Sequence, residues 1–300
     1  MLGKLPLTRS SYAGASARTV ALLVAALVLV GPSHAPGSVD AAAGAGADTD
    51  TYKDGRDEPG GGVPGERAEA EAPPVPQRTA VPARALPPVG VLLDGDEHWC
   101  TASVVDSPRG NVVATAAHCV HGDEGEVAEH VSFAPGFHGS GADRAPYGTW
   151  KVRSVQVDDA WRDDRDDAHD YAFLTLEPDA RGRQVQRVVG GLPVDWASGP
   201  ERRVTVVGYP NEDHNPGNRA VSCTTDTARD PDLEGSLLME CGGFWSGTSG
   251  SPWLAGHRDA QRPGRVIAVL SGGDTDREST AVLFGADARA LYERAVAAGS

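Results

Sequence analysis

Between residues 89 and 284 the chain is a succession of apolar runs four to eight residues long, cut apart by clusters of Gly, Pro, Asn and Asp. Runs of that length suit strands and fall short of helices. They occupy 89–93, 98–105, 111–116, 130–133, 150–157, 171–176, 203–209, 236–240, 252–255, 266–270 and 280–284. The punctuation comes from 37 glycines and 22 prolines, and Asp94-Gly95 is a hairpin signal between the first two runs. No long amphipathic helix separates the strands, so a sandwich or a pair of barrels is indicated instead of a parallel α/β sheet. The one helical pattern is terminal. Ala288, Leu291, Tyr292, Ala295 and Val296 share a face, and Asp287 stands where a cap would. No internal repeat of fixed period is present.

The first 88 residues have a different character. Lys4, Arg9 and Arg18 precede an apolar run, 20–30, that ends at Gly31-Pro32-Ser33, the pattern of a secretory signal, here assigned to 1–41. Small residues between Ala35 and Ala43 offer several cleavage points. The run is short for a membrane span, which needs about 20 residues; an uncleaved anchor is the alternative. Residues 42–88 are rich in Gly, Ala, Pro, Glu and Asp and nearly free of large apolar side chains. Such a segment cannot bury enough surface to offset its ordering entropy, so it is expected to be a disordered linker or propeptide. The folded domain is expected over 89–300.

Export would place the chain outside the cell and make its four cysteines readable. They allow three pairings, and an oxidising compartment favours bonds over thiols. The local pairing is Cys100 with Cys119 and Cys223 with Cys241, each closing a loop of about 20 residues and stabilising by about 3 kcal/mol. No CxxC pair is present, which argues against a zinc site. The net charge of −15 offers phosphates no basic stripe and excludes a nucleic-acid binder.

Three segments carry chemistry. Gly247-Thr248-Ser249-Gly250-Ser251-Pro252 sets a serine between glycines, which allow a tight turn with successive N–H groups pointing one way. Thr115-Ala116-Ala117-His118-Cys119 ends an apolar strand with a histidine beside a cysteine. His169-Asp170-Tyr171-Ala172 puts a carboxylate immediately before another strand, at the rim of a core, where it can hold an imidazole. The neighbouring Asp163, Asp164, Asp166 and Asp167 read as a solvated loop. His98, His121, His130, His138, His214 and His257 read as solvated as well.

The order His, Asp, Ser separates this set from subtilisin-type and α/β-hydrolase arrangements. CTASVV, TAAHCV, HDYAFLTL and GTSGSPW resemble the corresponding blocks of secreted bacterial trypsin-like serine peptidases, over about residues 89–285. The resemblance implies an all-β, chymotrypsin-like double β-barrel with a short C-terminal helix. It implies a triad of Ser249 as nucleophile, His118 as base and Asp170 as orienting carboxylate. It also implies a Cys100–Cys119 bridge and an oxyanion hole from the backbone N–H groups of Gly247 and Ser249. Ser271-Gly272-Gly273 resembles the strand that pairs with the substrate backbone and walls the specificity pocket. No cofactor and no metal are implied. The expected activity is that of a monomeric endopeptidase on protein or peptide substrates, with no nucleic acid and no stable membrane partner. A non-catalytic binding module of the same fold, or an esterase or partner-specific hydrolase, is the alternative.

Several features depart from the family pattern. Thr248 stands where amine-activated members carry an aspartate before the nucleophile, and no Ile-Val-Gly-Gly start is present. Leu270 stands where glutamyl endopeptidases carry a histidine, and Gly243 where trypsin carries its arginine-selecting aspartate. An uncharged residue before the scissile bond is the resulting expectation.

Overall fold

The computed structural model describes residues 78–299 apart from 123–126, 129 and 274. The signal assigned to 1–41 and the linker as far as 77 lie outside the described residues. Six strands close a first barrel in the order β2-β3-β4-β7-β6-β5. These are β2 (Val89–Asp94), β3 (Glu97–Val105), β4 (Val112–Thr115), β5 (Ser132–Pro135), β6 (Trp150–Val157) and β7 (Ala172–Leu176). The second barrel comprises β8 (Arg203–Gly208), β9 (Val221–Arg229), β10 (Ser236–Met239), β11 (Pro252–Ala255), β12 (Arg265–Gly272) and β13 (Ser279–Leu283). It closes because β9 pairs with β8 as well as with β10. All of these pairings are antiparallel. The architecture is the expected chymotrypsin-like double barrel.

Three apolar clusters hold it together. One fills the first barrel around Leu92, Val104, Phe133, Trp150 and Leu174. Another fills the second around Val206, Leu237, Trp253 and Ile267. The third includes Val91, Val105, Phe173, Tyr209, Val269 and Phe284, drawn from both barrels, and so joins them. This explains why β3 is buried continuously from Cys100 to Val105 instead of alternating. One face looks into its barrel and the other onto the joining cluster. The terminal helix, Ala286–Ala298, buries Ala288, Leu291 and Ala295, as its periodicity predicts. Its cap is Gly285, with Asp287 inside the first turn, where its charge meets the helix dipole.

Several local expectations are corrected. β9 has no large apolar run; it buries Cys223, Thr225 and Thr227 on alternate positions, a period-2 pattern written in threonine. Asp163 and Asp164, expected in a solvated loop, are exposed but end the short helix α1 (Asp159–Asp164), which is capped by the Asp158 side chain and anchored by buried Trp161. His98 and His121 are buried, at 6% and 5% exposed, His257 is half-buried, and His130, His138 and His214 are exposed. Part of the segment read as linker or propeptide, residues 78–88, lies among the described residues and packs on the second barrel. The two-residue strand β1 (Val81–Pro82) pairs with β9, the Ala80 N–H donates to Gly242 O at 2.8 Å, and Leu86 is buried. Composition cannot register this segment, because it is held chiefly by backbone pairing. Both local disulfides form, with Cα–Cα distances of 6.1 Å for Cys100–Cys119 and 6.7 Å for Cys223–Cys241.

Candidate active site

Strand register brings the three segments to one place. Thr115 at the end of β4 faces Ala172 at the start of β7. His118, three residues beyond the one, and Asp170, two residues before the other, therefore leave the same rim of the first barrel. In the second barrel Pro252 of β11 faces Val269 of β12. Ser249, three residues before, and Ser271, two residues after, again leave a common rim.

The two rims are bonded together. Thr101 N–H donates to the Ser249 carbonyl at 2.8 Å, and its hydroxyl donates to the Gly247 carbonyl at 2.9 Å while accepting from Tyr209 N–H at 3.0 Å. Gly250, with φ +82°, has no room for a Cβ, which would overlap the Thr101 carbonyl and the Thr115 hydroxyl. The turn carrying Ser249 is thus pressed onto the strand ends that lead to His118.

Asp170 is 2% exposed and accepts three hydrogen bonds. Oδ1 takes the His118 backbone N–H at 2.8 Å; Oδ2 takes His118 Nδ1–H at 2.7 Å and the Ser271 hydroxyl at 2.6 Å. An ionised carboxylate is an acceptor only, so the proton between them resides on Nδ1 and Nε2 keeps its lone pair. The His118 side chain is 33% exposed and its ring lies 6.5 Å from that of Trp161. The sulfurs of Cys100 and Cys119 are close to this ring, but joined in a disulfide they are not thiolate ligands for a metal.

Around the serine, Gly247 adopts φ +96° and Gly250 φ +82°. Thr248 N–H donates to Trp245 O at 3.1 Å and Gly250 N–H to Leu270 O at 2.7 Å. The N–H groups of Gly247 and Ser249 find no acceptor among the described residues. A cavity of about 310 Å³ opens beneath Ser249. Gly243, Gly272 and Gly273 line it, together with Leu270, Asp276 and Glu278, and among the described residues no cationic side chain does.

The family model described as the trypsin-like peptidase domain matches residues 100–269, more than half of the chain. The chain belongs to the trypsin-like peptidases. Solved structures with the same fold include the protease Anisep from Arthrobacter nicotinovorans, at 22% identity and TM-score 0.65, covering 72% of this chain and 98% of that one. A thermostable serine protease, AL20, from an extremophilic microorganism aligns at 27% identity and TM-score 0.63, covering 71% and 98%. A Glu endopeptidase solved in complex with MPD aligns at 15% and 0.61, covering 74% and 99%. Among curated proteins no match is found.

Two contributions to the peptidase's site had no signal in the sequence. The Ser271 hydroxyl, expected only as part of a substrate-pairing strand, is spent on Asp170. Thr101 braces the Gly247–Ser249 turn from the opposite barrel. Both depend on contacts more than 100 residues apart in sequence. Among the described residues no helix is long and apolar enough to cross a membrane.

Proposed function

We propose that the chain is a secreted endopeptidase that cleaves peptide bonds through Ser249, His118 and Asp170 by way of an acyl-enzyme. The observation that carries this is the buried Asp170 carboxylate fixing Nδ1 of His118 as donor, which puts the lone pair of a general base on Nε2. His118 takes the proton of Ser249 as the hydroxyl attacks the scissile carbonyl, then delivers it to the leaving amine. Asp170 stays ionised and stabilises the imidazolium. The oxyanion is received by the uncommitted N–H groups of Gly247 and Ser249, whose dipoles are fixed in advance by the turn. Water then repeats the sequence on the acyl-enzyme. The substrate's acyl half runs along Ser271–Gly273, with its terminal side chain in the cavity at Gly243. A glutamate there would meet Asp276 and Glu278, so acidic substrates are disfavoured.

Export, with removal of a signal within 1–41, belongs to the same proposal; two disulfides suit an oxidising compartment. The peptidase acts as a monomer, without cofactor or metal. A fluorophosphonate probe tests the mechanism: it should label the wild-type chain stoichiometrically at Ser249, and Ser249→Ala should abolish labelling. Absence of labelling in the folded wild type would favour a non-catalytic binding module instead.

A further inference from the structure

A second cavity, of about 590 Å³, adjoins the turn of Ser249. It shares Ser246 with the cavity beneath the serine and takes Gly247 as a wall. Its other wall is Trp99, whose indole N–H donates at 2.9 Å to the carbonyl of Cys119, the residue after His118. Gly272 and Gly273 line the first cavity, whereas this one lies past Gly247 and against Trp99. A peptide with its acyl half on residues 271–273 therefore carries its leaving half into the second cavity.

The lining is strongly anionic. Asp96, Glu97, Glu212 and Asp213 contribute four carboxylates against the single guanidinium of Arg144, which is already bound to Asp96. His98 adds no positive charge to this lining. His98, on the cavity wall, is only 6% exposed. The Asn218 Nδ2 amide donates to Glu212 at 2.9 Å, which turns Asn218 Oδ1 toward His98 Nε2 at 3.2 Å. Nε2 must then carry the proton, and Nδ1 is an acceptor with no donor among the described residues. Burial lowers the affinity of this ring for a second proton, so it stays neutral near pH 7 and leaves the anionic balance unchanged. The cavity thus sets four carboxylates against one guanidinium that is already paired.

We propose that this cavity is a leaving-side specificity pocket that selects a basic side chain, arginine above lysine, at one of the first two positions after the scissile bond. A guanidinium supplies both the charge that the carboxylates call for and several donors in one plane. The proposal rests on the assignment of Ser249 as the attacking residue, which fixes the direction of the substrate. Release of the first product would be slowed by the same attraction, so the effect belongs in kcat/KM more than in kcat.

Two measurements keep the pocket and the triad separable. Cleavage of a peptide library randomised on the leaving side should favour Arg over Glu about tenfold in kcat/KM at low salt, with the ratio shrinking as salt is raised. Calorimetric binding of uncleaved peptides to Ser249→Ala should show the same order without any turnover. The double variant Glu97→Gln with Asp213→Asn, both exposed, should reduce the preference to about twofold with an unchanged melting temperature; Glu97→Lys alone should reduce it in the same direction. Equal use of Arg and Glu, or a preference for acidic residues, overturns the proposal. A wild-type chain that cleaves nothing overturns the triad, and the binding measurement still decides the pocket.

Discussion

Replacing Asp170 by Asn separates catalysis from stability in this fold, and the hydrogen bonds at that residue set the size of both effects. The carboxylate accepts from the His118 main-chain N–H on one oxygen and from His118 Nδ1 and the Ser271 hydroxyl on the other. An asparagine has one acceptor oxygen and one NH₂. With NH₂ toward the main-chain N–H, two donors would face each other in a buried site, at about 1–3 kcal/mol. With NH₂ toward the ring, Ser271 can rotate to accept and the imidazole can shift its proton to Nε2. The second arrangement costs less, so the variant adopts it and stays folded, losing no more than about 1 kcal/mol. The same arrangement blocks Nε2 as a base. By analogy with the same change in other Ser-His-Asp enzymes, kcat should fall about 10⁴-fold. Thermal unfolding and peptide hydrolysis, measured on one preparation, test the pair of outcomes. A variant that keeps more than a tenth of wild-type kcat would refute the assignment of Asp170 as the group that fixes the tautomer.

Gly250→Ala should be destabilising by at least about 3 kcal/mol in denaturant unfolding, because a left-handed φ of +82° is combined with overlap against Thr101 and Thr115 in the opposite barrel; wild-type-like stability would mean the two barrels do not meet there. His98 gives the chain an acid-sensitive term. Its folded-state pKa lies below the ordinary value of 6.5, so between the two values the unfolded chain binds more protons and stability falls as pH drops below about 6.5. His98→Gln should flatten that part of the stability–pH curve, and an unchanged slope would show that other groups govern it.

Much of the candidate site was legible in the chain because its chemistry is local. A glycine-flanked serine, a histidine ending an apolar strand and an aspartate opening another are each set by a few neighbouring residues, and their order names the arrangement. Most strands were legible for the same reason, since an apolar run of four to eight residues between turn formers has few alternatives. β9 was hidden because its buried positions are threonine, which scores as polar while packing as a small β-branched residue. The buried state of His98 was hidden because it depends on Asn218, 120 residues away.

What the sequence by itself determined is the set of candidate reacting groups and the strands that carry them, because propensity, turn chemistry and spacing act over a handful of residues. What only the tertiary structure decided is which rims face each other. The closure of two barrels sets Ser271 on Asp170 and Thr101 on the Gly247–Ser249 turn, and gathers Asp96, Glu97, Glu212 and Asp213 around one cavity. Those groups come from loops that share no local pattern. Their proximity follows from strand register and from the apolar cluster that presses one barrel onto the other, neither of which is written in any single stretch of chain.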